Sequence, residues 1–163
     1  MTFIHTYFKA EKYASLFFVI LGATFILGTF YFWLAVNLPF FNGLGWPVLF
    51  VAFLQFFAGL FIYFRTSTDL NLVLNFASKH PKNIKNMEMP RMAIVLARFK
   101  LYHKVEIALC LFGLIVFLMG ASEGFLRGFG LGIVVQSGIM LIANSFAELR
   151  GKHYLFSLKT HFK

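Results

Sequence analysis

The chain is short of almost everything a water-soluble enzyme of its length uses. Of its 163 residues only 6 are acidic, 4 are proline and one is cysteine, and charged residues make up 13% of the whole. Soluble domains carry about 25%, so there is too little polar surface to cover a globule in water. The one cysteine, Cys110, sits in an apolar run. This excludes a disulfide framework, a CxxC pair and a cysteine-rich metal site, and leaves a buried thiol with a packing role. No GxSxG, HExxH or phosphate-binding glycine loop occurs. The segment GFGLG (128–132) is rich in glycine, but it opens an apolar run, where helix flexibility and packing explain it better than phosphate binding.

What is present is apolar: 60% hydrophobic residues, 20% aromatic, 24 of them Phe. The length suits one domain, residues 1–163. A membrane-crossing helix needs about 20 predominantly apolar residues, and four segments qualify: about 14–36, 43–64, 105–121 and 128–147. Without water in the bilayer core each must satisfy its own backbone, which makes helix the expected state. The first run, Ala14 to Val36, is longer than a signal-peptide core and no small-x-small cleavage site follows it, so it reads as a retained helix. The expected fold is all-α: an integral membrane four-helix bundle built from two antiparallel transmembrane hairpins.

Basic residues set the expected orientation. Of the 15 Lys and Arg, all but Arg127 fall in the N-terminal segment, the stretch 65–104 or the C-terminal tail. The connection NLPFFNGLGWP (37–47) carries no charge. By the positive-inside rule both termini and the loop 65–104 are cytoplasmic in a bacterial-type inner membrane. The same topology accounts for the net charge of +9 without a nucleic-acid partner.

Within 65–104, DLNLVLNF (69–76) fits an interfacial extension of the second helix as well as a strand. HPKNIKNMEMP (80–90) reads as the breaker, with Pro90 in the first turn of the next helix, where its missing N–H costs nothing. That helix is expected to project along the cytoplasmic interface before entering lipid, with Met92, Val95, Leu96 and Phe99 on one face. The C-terminal YLFSLKTHFK (154–163) is expected to lie on the membrane surface.

Seven-residue spacings return a side chain to nearly the same helix face. They align Ser15, Gly22 and Thr29 in the first helix, Glu106, Gly113 and Gly120 in the third, and Gly130, Ser137 and Asn144 in the fourth. The second offers Ala52, Gln55 and Gly59. Such stripes are contact surfaces, within one chain or between copies. The most membrane-central polar side chains, Gln55 and Gln136, are placed to hydrogen-bond across helices 2 and 4.

A turn near residues 124 and 125 puts Glu106 level with Ala143 and Asn144, and Glu148 level with Leu101. The candidate polar cluster at the inner interface is therefore Arg98, Lys104, Glu106, Asn144, Glu148 and Arg150, with Gln55, Gln136 and Ser137 deeper. Glu148 is expected to pair with Arg98, Lys104 or Arg150, and Glu106 to be held by Asn144 or a basic neighbour. The functional alternative is a gate, a proton-linked site or a docking site. His103 and Glu106 share a face at i, i+3. Bundle di-metal sites need two Glu-x-x-His motifs and further carboxylates, so no metal is assigned. No histidines face one another across the membrane core, so no haem is assigned either.

The pair GFGLGIVVQ (128–136) and SFAELRGKHYLFSL (145–158) resembles a pattern found in small bacterial four-helix membrane proteins of unknown function, over about residues 90–158. The resemblance implies the four-helix fold and brings no established activity. It also implies an acidic residue where Asn144 stands, so an ionic role for that position does not carry over.

The expected role is non-enzymatic: a small subunit or accessory, scaffold-like component that self-associates or binds a larger membrane complex. Its basic face would meet anionic headgroups or an acidic partner. A homo-oligomeric channel or transporter lined by Gln55, Gln136, Ser137 and Asn144 is the alternative. A membrane enzyme using Glu106 and Glu148 as acid and base is the third. No catalytic residue or cofactor is assigned.

Overall fold

The computed structural model describes residues 2–79, 83–122 and 124–161. Four helices account for nearly all of them: α1 (Thr2–Tyr31), α2 (Pro39–Lys79), α3 (Ile84–Met119) and α4 (Phe125–His161). A single π-helical turn, Phe32–Val36, ends the first run. Asn37 then closes it at φ 44°, donating its N–H to Phe32 O; asparagine tolerates this left-handed cap better than a branched residue. All four helices are long and apolar enough to cross a membrane.

Several sequence expectations change. The uncharged connection 37–47 is mostly helix, because α2 starts at Pro39 and runs through Pro47. The stretch 65–104 is not an open loop: α2 continues to Lys79 and α3 begins at Ile84. DLNLVLNF is thus helix and not strand, and Val73 of that segment is buried. His80 to Lys82, within the expected breaker, lie outside the described residues. Pro90 does not start a helix but sits inside α3. It removes the N–H that would meet the Asn86 carbonyl, and Asn86 is exposed, where water has access. As far as His161, YLFSLKTHFK does not lie on a surface as a separate segment; its last two residues lie outside the described ones. α4 runs straight through to His161 with Tyr154 and Leu158 buried.

α2 and α4 form the central pair. α1 packs on α2 and α3 on α4, and the backbones of α1 and α3 do not touch among the described residues. Gly22 faces the Ala52 carbonyl, Gly59 the Ser15 carbonyl and Gly45 the Thr29 side chain. Residue numbers thus fall along α2 as they rise along α1. Gly113 meets Gly130 and Ile133, and Gly120 meets Arg127, in the same sense between α3 and α4. The seven-residue stripes face these contacts: Ser15, Gly22, Thr29, Ala52, Gln55, Gly59, Glu106, Gly113, Gly130 and Ser137 are all buried.

Burial changes character along the helices. Through the apolar stretches the interior holds glycine and small or polar residues, while Phe50, Leu118 and Met119 stand 67%, 72% and 80% exposed. Toward the end that holds both termini the order reverses. There Ile4, Phe8, Val73, Ala77, Ile84, Met92, Tyr154 and Leu158 form one buried apolar cluster drawn from all four helices. At 30 to 41 residues the helices are about 45–60 Å long, and their ends build this second layer, a basic head.

Candidate functional site

The α3–α4 seam carries the polar residues. Gly113 and Gly130 let the two backbones approach closely. One seven-residue step from Gly113 is Glu106, and two such steps from Gly130 is Asn144, so close packing at the glycines aligns this pair. Asn144 Nδ2 donates a short hydrogen bond to Glu106 Oε1. Glu106 is only 7% exposed, and its second oxygen, Oε2, is buried without a hydrogen-bond partner. It lines one end of a cavity of about 490 Å³ set between α2, α3 and α4.

Glu148 takes other partners than expected. Its Oε1 lies 2.7 Å from Lys152 Nζ, one turn along α4, and its Oε2 3.4 Å from His103 Nδ1 on α3. Arg98 and Lys104 are exposed and make no ion pair among the described residues. The reason is reach: an i, i+4 Glu–Lys pair stays on one helix face, whereas Arg98 and Lys104 point to the outside of α3. Arg150 is half-buried and lies on the α1 side of α4, against Phe17 and Phe18. The Lys152 hydrogen bond holds the Glu148 carboxyl below its ordinary 4.5; partial burial opposes this, and the charges of Lys152, His103 and Lys100 add to it.

The other face of His103 meets Ser145, Nε2 to Oγ at 3.3 Å. Serine, histidine and glutamate are thus in line, an order that suggests nucleophilic catalysis. Ser145 Oγ also donates to the Leu141 carbonyl at 2.7 Å, a bond that competes with handing its proton to the imidazole.

Deeper, Gln55 Nε2 donates to Gln136 Oε1 at 3.2 Å, and Gln136 Nε2 to the Val48 carbonyl at 3.4 Å. Ser137 Oγ is turned back onto its own helix, donating to Ile133 O at 2.7 Å. These groups lie within the chain, between α2 and α4.

A second polar centre, in the basic head, was not anticipated from the sequence. Glu88 is 1% exposed and takes three hydrogen bonds from Arg91, at 2.7 to 3.1 Å, plus one from the Tyr154 hydroxyl at 3.2 Å. Tyr154 stacks on Tyr7 at 4.3 Å. Burial raises both phenols well above their ordinary value, and the Glu88 charge raises them further. Burial works against the Arg91 cation, but the bonds and charge of Glu88 outweigh it and raise its pKa. Glu11 is also raised, by burial first, with Arg65 and Arg91 opposing. The i, i+3 spacing of Glu88 and Arg91 was the one available signal; Tyr154 lies 66 residues from Glu88.

Among the described residues no group of three or more His, Cys, Asp or Glu side chains is placed to hold a metal ion. No protein-family model, curated protein or solved structure matches the chain.

Proposed function

We propose that the chain is a four-span protein of a bacterial-type inner membrane, made of two antiparallel transmembrane hairpins with both termini cytoplasmic, and that it works as a non-enzymatic accessory or scaffold subunit. The observation that carries the membrane reading is the reversal of burial along the helices. Small and polar residues inside with large apolar residues outside is how helices associate in lipid, where apolar burial gives no driving force. The ordinary apolar core of the head is how the same helices pack in water. The change of solvent falls where the basic residues begin.

The head supports the subunit reading. It is a preformed module, fixed by the Glu88–Arg91–Tyr154 bonds, with Lys9, Arg98, Lys100, Lys104, Lys152 and Lys159 exposed around it. Such a surface suits anionic headgroups or an acidic partner. α3, at one edge of the bundle, leaves Leu111, Phe112, Ile115 and Leu118 open to lipid or to a neighbouring helix. Pairing of Gln55 with Gln136 inside the chain weighs against a pore lined by them. The different partner sets of Glu106 and Glu148 weigh against a shared acid–base pair.

Native mass spectrometry after gentle detergent extraction tests the role: a defined self-assembly or a retained partner is expected, and a bare monomer would sink it. Topology is tested in a Cys110→Ser background. A cysteine at Lys79 should be shielded from an impermeant thiol reagent in intact cells, and one at Ser122 labelled. The opposite pattern would invert the orientation.

A further inference from the structure

The Glu106 cavity is a recess that carries a spare polar group. Its walls are otherwise apolar and aromatic, with Trp46 and Phe50 from α2 and Phe129 from α4. The other polar side chains on it are committed: Gln136 to Gln55 and Val48, Ser137 to Ile133. Among the lining side chains, Glu106 Oε2 is the buried polar atom without a hydrogen-bond partner. Asn144 occupies Oε1, and Oε2 has no partner although the side chain is more than nine-tenths buried. An acceptor enclosed without a donor is costly, and more so when it is a carboxylate. Among the described residues no side chain hydrogen-bonds it: Lys152 and His103 lie against Glu148, and Arg98 and Lys104 are exposed.

We propose that this cavity binds a lipophilic ammonium compound, its N–H group donating to Glu106 Oε2 and its apolar chain lying along α4 toward Phe129 and Trp46. Charge complementarity selects the head, because one buried carboxylate without a counter-ion favours a cation. The walls select the tail. From Met140, one turn before Asn144, to Phe129 is eleven residues, about 16 Å of helix, and 490 Å³ is within the roughly 300–1,000 Å³ of ligand cavities. Aromatic faces at the far end suit either a hydrocarbon chain or a second cationic ring. A metal ion does not fit, since one carboxylate and one amide are too few ligands. Binding at this recess is independent of whether the protein serves as a subunit.

The test uses the full-length protein in neutral detergent, with Trp33→Phe so that Trp46 alone reports. Dodecylammonium chloride should give a saturable fluorescence change, and dodecanol, of the same length without charge, should bind about tenfold to a hundredfold more weakly. Glu106→Gln keeps an oxygen for Asn144 and the shape of the side chain, and should lose the same factor for the amine only. Val51→Phe fills the cavity without touching the carboxylate and should abolish binding of both. Thermal unfolding checks that each variant is folded. Equal affinities for amine and alcohol, or an amine affinity unchanged in Glu106→Gln, would overturn the site. Phosphatidylethanolamine that co-purifies with wild type and is lost in Glu106→Gln would overturn the free amine as occupant and assign the recess to that lipid.

Discussion

Gly128→Ala adds a single methyl group where α2 and α4 cross, and should leave the protein about 2 kcal/mol less stable than a Gly→Ala change on the same helix whose Cβ meets nothing. A Cβ there would overlap the Phe40 carbonyl oxygen, and Gly43 stands reciprocally against the Phe125 carbonyl. Neither neighbour is a flexible side-chain tip, so the helices must part by about 1 Å. A gap of that size forfeits a quarter to a half of each dispersion contact. Over roughly twenty atom pairs at about 0.1–0.2 kcal/mol each, that is about 1 kcal/mol. The separation also stretches the Gln55–Gln136 bond at 3.2 Å and the Gln136–Val48 bond at 3.4 Å. Interhelical hydrogen bonds in membranes average about 0.6 kcal/mol, so the two add about 1 more.

Gly138→Ala is the control. It lies on the same helix, and a Cβ there meets nothing within 4 Å. Its expected change is near zero or a gain of up to about 1 kcal/mol from helix propensity. SDS-titration unfolding followed by tryptophan fluorescence compares the two. If Gly128→Ala fell within about 0.5 kcal/mol of Gly138→Ala, the close α2–α4 crossing would be wrong. The Gly43→Ala/Gly128→Ala double variant should cost less than the sum, because the first methyl already opens the crossing.

Glu88→Ala should cost about 2 kcal/mol in chemical denaturation, below the about 3–5 of a fully buried pair, since the Arg91 side chain is 35% exposed and can turn to water. The triple change Glu88→Met, Arg91→Met and Tyr154→Phe should restore most of that, and a further loss would refute the account. Glu11 has a raised pKa, so its folded form holds the proton more tightly than the unfolded one. The native state therefore loses stability as pH rises from its ordinary 4.5 through the folded value. Glu11→Gln should accordingly raise the melting temperature at pH about 8 and change it little at pH about 4; an equal gain at both would show that burial does not act on its charge. Asn144→Leu strips Glu106 of its one donor and should cost about 1–3 kcal/mol, whereas Glu106→Leu with Asn144→Leu should recover it; a double variant no better than the single would remove the Asn144–Glu106 bond as the cause.

Much of the fold is legible in particular residues. Four apolar runs imply four long helices, and Ser15, Gly22 and Thr29 show which face of α1 is inside, because close backbone contact admits only small side chains. Glu106 opposite Asn144 follows from where the α3–α4 turn lies. The partners of Glu148 were not legible: Lys152, four residues on, competes with every basic residue at the same depth, and only helix rotation turns Arg98 away. Pro90 was misplaced because a proline in the second turn normally costs a hydrogen bond and a clash with the i−4 carbonyl, and nothing local shows that exposed Asn86 lets the helix bear it.

The sequence by itself determined the number and apolar character of the helices, since these depend on runs of adjacent residues and their periodicity; their full lengths, 30 to 41 residues, exceed the apolar runs. The tertiary structure decided that the ends of those helices come together and close over a core of their own. Ile4, Val73, Ile84 and Leu158 belong to four different helices, and no local pattern announces that they meet. It also decided which polar groups are left without a partner. Whether a carboxylate is satisfied depends on every group within about 3 Å of each oxygen, and at Glu106 those groups come from separate helices, brought there by two glycines.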